Sequence, residues 1–203
     1  MIDQFQLMQV LEKLRGDAVV MPVFRANIAW TQVTNNPKRD VPVGTMEFPA
    51  VMGIGSSLAL GFCLARPDTK VILFDGDGSL LVNLGTLVTI ANKAPKNLYH
   101  FVMDNGVYAT TGGQDTPAAE HVSFADLARA AGYARSYQFD DLAVFTSQAE
   151  SVLNQEGPIL VCVKTVPSIR HSKGSGAAAV GEMPRGRPQA ISNLLDQFGK
   201  GRR

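Results

Sequence analysis

Lys70-Val71-Ile72-Leu73-Phe74-Asp75-Gly76-Asp77-Gly78-Ser79 is the stretch that decides how this chain is read. Residues 70–74 are a short apolar run of the kind found in a parallel sheet covered on both faces. The run then turns abruptly to acid, glycine and hydroxyl, and a helical pattern follows over 79–93. Residues 98–104 form the next apolar strand, which ends in Asp104-Asn105-Gly106-Val107-Tyr108. Ligands of an open parallel sheet gather at the carboxyl ends of its strands. Neighbouring strands would set these two polar loops side by side.

Outward from this centre, helical and extended patterns alternate. Leu7, Met8, Leu11 and Leu14 share one helical face, with Gly16 as a stop. Residues 18–23 (AVVMPV) read as a buried strand. A polar stretch, 34–43, crosses to a helix over 53–65 (GIGSSLALGFCLA), whose small residues permit close packing on a sheet. Past a loop at 106–121, Ser123 and Asp126 have capping-box spacing before Leu127 and Ala128. Residues 134–139 and 158–166 are further strands, flanking a helix that begins near Asp140. This alternation predicts an α/β fold, a doubly wound parallel sheet flanked by helices, as a single domain over 1–170. From His171 onward Gly, Ala, Pro and Arg dominate, so 171–203 reads as a tail with one short helix at 189–198.

The bulk composition narrows the function classes. Hydrophobic residues at 45% against 18% charged describe a globular chain rather than a disordered one. A net charge of +1 gives no reason to expect nucleic acid or an anionic membrane as partner. No apolar run reaches the ~20 residues of a membrane span, and no signal-peptide pattern opens the chain. Cys63 and Cys162 lie in apolar stretches and read as buried thiols, which makes a reducing cytoplasm the expected location.

The chemistry of the paired loops points to a Mg²⁺–diphosphate site. Asp77 offers a hard anionic oxygen, Asn105 a neutral amide oxygen, and a backbone carbonyl of the second loop a third ligand. Mg²⁺ takes six oxygens, few of them from protein carboxylates. Gly76 and Gly78 allow close backbone approach to an anion, with the N–H groups and dipole of the helix from Ser79 behind them. Three other readings compete. An EF-hand loop would need Glu where Thr86 stands. A haloacid-dehalogenase-type phosphatase would use Asp75 as nucleophile and Asp77 as acid, but Lys164 and Asp140-Asp141 come in the wrong order for its remaining motifs. A tight turn with Asp77 as a cap would leave the pairing with Asn105 without purpose.

Gly76-Asp77-Gly78-Ser79 followed by Asn105 resembles the binding signature of thiamine diphosphate (ThDP) enzymes. Within these, GDGSLL, NLG, DNGVY and TGGQ in this order resemble the phosphonopyruvate and sulfopyruvate decarboxylase group, over about 16–166. The resemblance implies a ThDP diphosphate-binding domain, with Asp77, Asn105 and the Val107 carbonyl as Mg²⁺ ligands. It also implies Gly76, Gly78, Ser79 and Tyr108 around the diphosphate, and Ala50 and Met52 at the aminopyrimidine, Met52 wedging the cofactor into its bent form. Ala50-Val51 departs from the Gly-Ser common at that turn.

The family's activating glutamate sits in a separate pyrimidine-binding domain. Before residue 50 this chain has only Glu12 and Glu47, so the resemblance implies an α-type partner subunit supplying that glutamate. The chain would then be the β-type subunit of a hetero-oligomeric enzyme that decarboxylates a small 2-oxo acid. A carboligase or 2-hydroxyacyl lyase subunit, or a non-catalytic ThDP-binding module, would carry the same cofactor motif. Where pyruvate-type decarboxylases place a proton-handling glutamate, this chain has Thr111. For substrate selection Arg25, after the first strand, could pair with a carboxylate or sulfonate. His121 and His171 are incidental candidates, His100 reads as structural, and Arg170, His171 and Lys173 lead into a tail that could act as a lid.

Overall fold

A computed structural model describes residues 1–44, 52–117 and 119–169. Within them the chain runs α1 (Gln4–Leu14), β1 (Val19–Pro22), α2 (Arg25–Val33), α3 (Gly55–Ala65), β2 (Val71–Gly76), α4 (Asp77–Val82), α5 (Thr86–Lys93), β3 (Leu98–Asp104), β4 (Val107–Tyr108), β5 (Gln114–Asp115), α6 (Phe124–Ala131), β6 (Arg135–Phe139), α7 (Leu142–Leu153) and β7 (Ile159–Lys164). Ala50, Val51, Glu47, Arg170, His171, Lys173 and the expected helix at 189–198 lie outside the described residues.

Five strands form one parallel sheet in the order β1-β2-β3-β7-β6. Side chains alternate across a strand, and here both faces are covered. Val19, Met21, Leu73, Val102 and Cys162 pack towards α3, α5 and α6. Val20, Ile72, Phe74, Phe101 and Val161 pack towards α1, α2 and α7. That two-sided burial is why the strands read as unbroken apolar runs. Trp30, Phe74, Phe101, Phe145 and Phe139 form a chain of ring contacts at 5.2–6.3 Å between centroids, tying α2 through the sheet to α7. Such pairs each add about 0.5–1.5 kcal/mol beyond area burial.

The doubly wound parallel sheet and its strands match the expectation, and Ser123 caps α6 by accepting the Asp126 N–H at 3.2 Å. Three local features differ. The helix expected over 79–93 is two helices, α4 and α5, interrupted after Val82. Asn83 leaves the helical register and sends its Nδ2 to the Gly53 carbonyl at 3.0 Å, and Thr86 restarts the helix by donating Oγ1 to the Asn83 carbonyl at 2.8 Å. The loop at 106–121 contains the antiparallel hairpin β4–β5. Residues 25–33 form α2, where the sequence shows no continuous apolar stripe; only Ala26, Asn27 and Trp30 of it are buried.

At the amino end of β1 a buried arginine bolts three segments together. Arg15 reaches Asp40 at 2.9 Å and Glu12 at 3.4 Å, and donates Nη2 to the Ala18 carbonyl at 2.8 Å. Glu12 in turn accepts the Asn35 N–H at 2.8 Å, and Asp40 accepts the Thr34 hydroxyl at 2.7 Å.

Candidate functional site

Register places the chemistry on the opposite edge. Asp75 and Gly76 of β2 lie beside Val102 and Met103 of β3, and Asp104 lies beside Lys164 of β7. The three strands therefore discharge their polar ends onto one edge, where a cleft of about 410 Å³ opens between the β2–α4 turn, the β3–β4 turn and the β1–α2 turn. Among the described residues this cleft brings together Met52, Gly76, Asp77, Gly78, Ser79, Asn105, Val107, Tyr108 and Thr111. All of the expected site residues except Ala50, which lies outside the described residues, thus share one cavity.

Asp77 opens α4 with 2% of its surface exposed. Its Oδ2 accepts the Gly106 N–H at 2.9 Å and the Thr116 hydroxyl at 3.4 Å, so the carboxylate is what joins the two loops. Burial pushes its pKa up to about 6 from 3.8; the Asp104 charge adds to this, while hydrogen bonds from the Gly78 and Gly106 N–H groups oppose it. A carboxylate held in its charged form only with difficulty gains from a nearby cation. Asn105 Oδ1 accepts the Val107 N–H at 2.9 Å, and the Val107 carbonyl accepts the Ala109 N–H at 3.0 Å. Each oxygen keeps a second lone pair for a metal. One carboxylate with two neutral oxygens suits Mg²⁺, which shares its shell with phosphate and water. Among the described residues no cluster of three or more His, Cys, Asp or Glu offers an alternative metal site.

The anion side of the cleft has its own fit. A Cβ at Gly78 would lie 2.5 Å from Tyr108 Cε1, so only glycine lets the backbone sit beneath that ring. Ser79 Oγ accepts the Gly53 N–H at 3.2 Å, which fastens the turn after Met52 to α4. Because α4 has six residues, its macrodipole is weaker than a fifteen-residue helix would provide, and the Gly78 N–H of its first turn is already bonded to the Asp77 carboxylate. Thr111 reaches the cleft, but its hydroxyl donates to Gln114 Oε1 at 3.0 Å and serves the hairpin turn.

Other titratable groups fall into place around this edge. Asp75 is fully buried, with Oδ1 accepting the Gly76 N–H at 2.9 Å and Oδ2 turned to His100 Nε2 at 3.5 Å. His100 Nδ1 meets the Tyr133 hydroxyl at 3.2 Å, and burial drives the Tyr133 pKa upward. A carboxylate enclosed in this core network is not presented as a phosphatase nucleophile would be. Lys164 pairs with Asp104; burial opposes its charge, but that pairing holds its pKa above the usual lysine value. Cys63 and Cys162 are free buried thiols, each pushed up by burial to about 12. His121 lies exposed beside Glu120, away from the cleft lining. No helix among the described residues is long and apolar enough to cross a membrane.

Gln4 and Phe24 also line the cleft, and no motif in the residues points to either. Gln4 belongs to a helix on the far side of the chain order, and Phe24 earns its place through backbone geometry, φ 46°, that no residue pattern encodes.

Residues 29–163 match the sequence profile of the thiamine pyrophosphate enzyme C-terminal TPP-binding domain. Sulfopyruvate decarboxylase subunit beta of Methanocaldococcus jannaschii is 37% identical over 116 residues, 57% of this chain and 61% of that protein. Phosphonopyruvate decarboxylase of Streptomyces hygroscopicus is 34% identical over 147 residues, 72% of this chain and 34% of that protein. The chain thus spans less than two thirds of the length of these relatives. The solved structure of the thiamine diphosphate-dependent 4-hydroxybenzoylformate decarboxylase of Rhodococcus jostii superposes with a TM-score of 0.67 at 24% identity, covering 83% of this chain and 33% of that one; it supports the fold.

Proposed function

The chain belongs to the thiamine pyrophosphate enzymes, as a C-terminal TPP-binding domain, and from that premise we propose that it is the diphosphate-binding subunit of a Mg²⁺-dependent 2-oxo acid decarboxylase. The observation that carries this reading is Asp77 bridging both loops beneath an anion cradle, with its pKa raised to about 6. Asp77, Asn105 and the Val107 carbonyl would hold Mg²⁺, and the turn of Gly76, Gly78 and Ser79 would meet the diphosphate, with Tyr108 closing over Gly78. Met52 lines the same cleft, and the resemblance assigns Met52 and Ala50 to the aminopyrimidine.

When bound, thiamine diphosphate supplies a sink for the electrons that departing CO₂ leaves behind. This chain's part is to bind, orient and exclude water. Tyr108 and Met52 give the cleft apolar walls, and the Ser79–Gly53 bond ties the turn after Met52 to α4. Thr111, engaged with Gln114, does not serve as a proton donor. The activating glutamate would come from a pyrimidine-binding subunit, a reading supported by the subunit naming of the Methanocaldococcus relative. Sulfopyruvate-like or phosphonopyruvate-like 2-oxo acids are the proposed substrates, by similarity to both relatives.

Calorimetric titration of ThDP into the chain, with and without Mg²⁺, tests the site: binding should need the metal and disappear in Asn105→Ala. Mixing with the partner subunit should then release CO₂ and an aldehyde from the 2-oxo acid. A coupled ketol instead would make the enzyme a carboligase, and metal-independent binding would sink the site assignment.

A further inference from the structure

The face of β2 that meets α3, α5 and α6 carries one residue out of pattern. Val71 and Leu73 lie on that face, and so by alternation does Asp75, with none of its surface exposed. Strand β3 repeats the irregularity, since His100 stands between Leu98 and Val102 and is also fully buried. Register sets His100 beside Leu73 and Asp75 beside Val102, so the two side chains are diagonal neighbours. Burying a charge where the pattern calls for a hydrocarbon is costly unless the group is paired.

The contacts run from the core to the cleft. Tyr133 is placed by the end of α6, where Gly132 turns at φ 102° and the Tyr133 N–H donates to the Ala128 carbonyl at 3.0 Å. Its hydroxyl meets His100 Nδ1 at 3.2 Å. Burial raises the Tyr133 pKa, so the hydroxyl keeps its proton and can donate to Nδ1. The imidazole then carries its hydrogen on Nε2, the atom that faces Asp75 Oδ2 at 3.5 Å. That contact is long, and neither atom has a hydrogen-bond partner among the described residues, so each depends on the other. Asp75 Oδ1 accepts the Gly76 N–H at 2.9 Å. Gly76 in turn caps α4, which has no side-chain cap, and Asp77 is the first residue of that helix. The start of α3 closes over the carboxylate: a Cβ on Gly55 would lie 3.8 Å from Asp75 Cγ and 2.7 Å from Val23 Cγ2. Asp75 nonetheless lines the cavity that holds Asp77 and Asn105.

We propose that Tyr133, His100 and Asp75 are positioning residues, which fix the β2–α4 turn so that Asp77 is held in the geometry that binds the cofactor's metal. The inference rests on the Mg²⁺–diphosphate reading of the cleft and adds the residues that hold its turn from behind. With Oδ2 engaged by His100, the Asp75 carboxylate cannot rotate, and Oδ1 stays on the Gly76 N–H. Without the imidazole a buried oxygen loses its one donor, the carboxylate turns, and the cap of α4 is released. The three side chains act on the metal only through Gly76 and Asp77.

The test compares full-length wild type, His100→Leu, His100→Gln, Tyr133→Phe and Asp75→Asn in two measurements. Calorimetry gives the Mg²⁺-dependent ThDP affinity, and NMR without cofactor gives hydrogen exchange at the Gly76 amide. His100→Leu should lower the affinity roughly tenfold, as loss of a hydrogen bond to a charged group implies, and speed Gly76 exchange. Tyr133→Phe should lower the affinity about threefold. His100→Gln, whose amide can donate to Oδ2, should recover most of both. Adding His100→Leu to Asp75→Asn should cost little beyond Asp75→Asn alone, because the two act through one contact. A merely structural role gives a different pattern: lower stability in urea, unchanged ThDP affinity of the folded chain, and no rescue by His100→Gln. That pattern overturns the proposal, as do losses that simply add in the double variant. Should His100→Leu fail to fold, Tyr133→Phe combined with Asp75→Asn supplies the same cycle. If wild type binds no ThDP with Mg²⁺ present, the diphosphate reading falls and the Gly76 amide decides the positioning role. Faster exchange in His100→Leu with recovery in His100→Gln then sustains it, and equal exchange in all variants overturns it.

Discussion

The two ends of the sheet both bury charge, and they do it differently. At the amino end of β1 one arginine sits between two carboxylates, and Asn35 and Thr34 donate to those carboxylates from the side. At the carboxyl end Asp77 leans on backbone N–H groups and a hydroxyl, with no cation hydrogen-bonded to it among the described residues and its pKa raised to about 6. Buried charge that finds its counter-charge within the chain holds the fold; buried charge that finds only dipoles is prepared for something to arrive. The amino-terminal cluster is architecture, and the carboxyl-terminal one is the proposed site.

Arg15→Ala should break this contrast hardest, because it strands Glu12 and Asp40 in the interior. A loss of about 3–5 kcal/mol in urea unfolding is expected, and a change below 1 kcal/mol would mean the cluster is solvated. Asp77→Ala should do the reverse, leaving the apo chain at least as stable while Mg²⁺-dependent ThDP affinity drops on the order of 100-fold, about 2.7 kcal/mol. Unchanged affinity by calorimetry would remove Asp77 from the site.

The contrast can also be read through pH. The folded chain holds the Asp77 proton more tightly than the unfolded chain, so the ionised group opposes folding above pH 6. That penalty fades as pH falls towards the ordinary value of 3.8. Relative to Asp77→Asn, the apo wild type should therefore gain about 1 kcal/mol between pH 7 and pH 5. Over the same interval Mg²⁺ affinity should weaken, because protons compete for the carboxylate. Parallel pH curves for the two proteins would show that the group titrates normally. The smallest effect belongs to Ser79→Ala, which removes the Gly53 N–H acceptor and should cost about 1 kcal/mol of apo stability; a larger loss would make the turn part of the core.

Much of this was legible in the residues. The runs at 70–74 and 98–104 declared buried parallel strands because both faces are covered, and the acid-glycine turn after the first declared the binding edge. Asp77 and Asn105 reach one cleft because they directly follow the paired ends of β2 and β3. What stayed hidden depends on contacts between distant segments. The break between α4 and α5 follows from Asn83 bonding to Gly53, thirty positions upstream. Helix α2 hides because it buries one stripe of Ala26, Asn27 and Trp30, too few for a periodic signal. Gln4 joins the cleft from a helix that pairing of the chain's start with the segment after β7 holds in place.

Gly53 is held from both sides by one short helix and its end: its N–H by Ser79 and its carbonyl by Asn83. The turn after Met52 and the start of α4 are therefore a single mechanical part. If the proposed site holds, a phosphate seated at α4 and a ring seated beside Met52 would each raise the other's affinity, or lower it, by one and the same factor. Splitting the cofactor into a pyrophosphate fragment and a pyrimidine fragment, and titrating each in the presence of the other, would measure that factor directly.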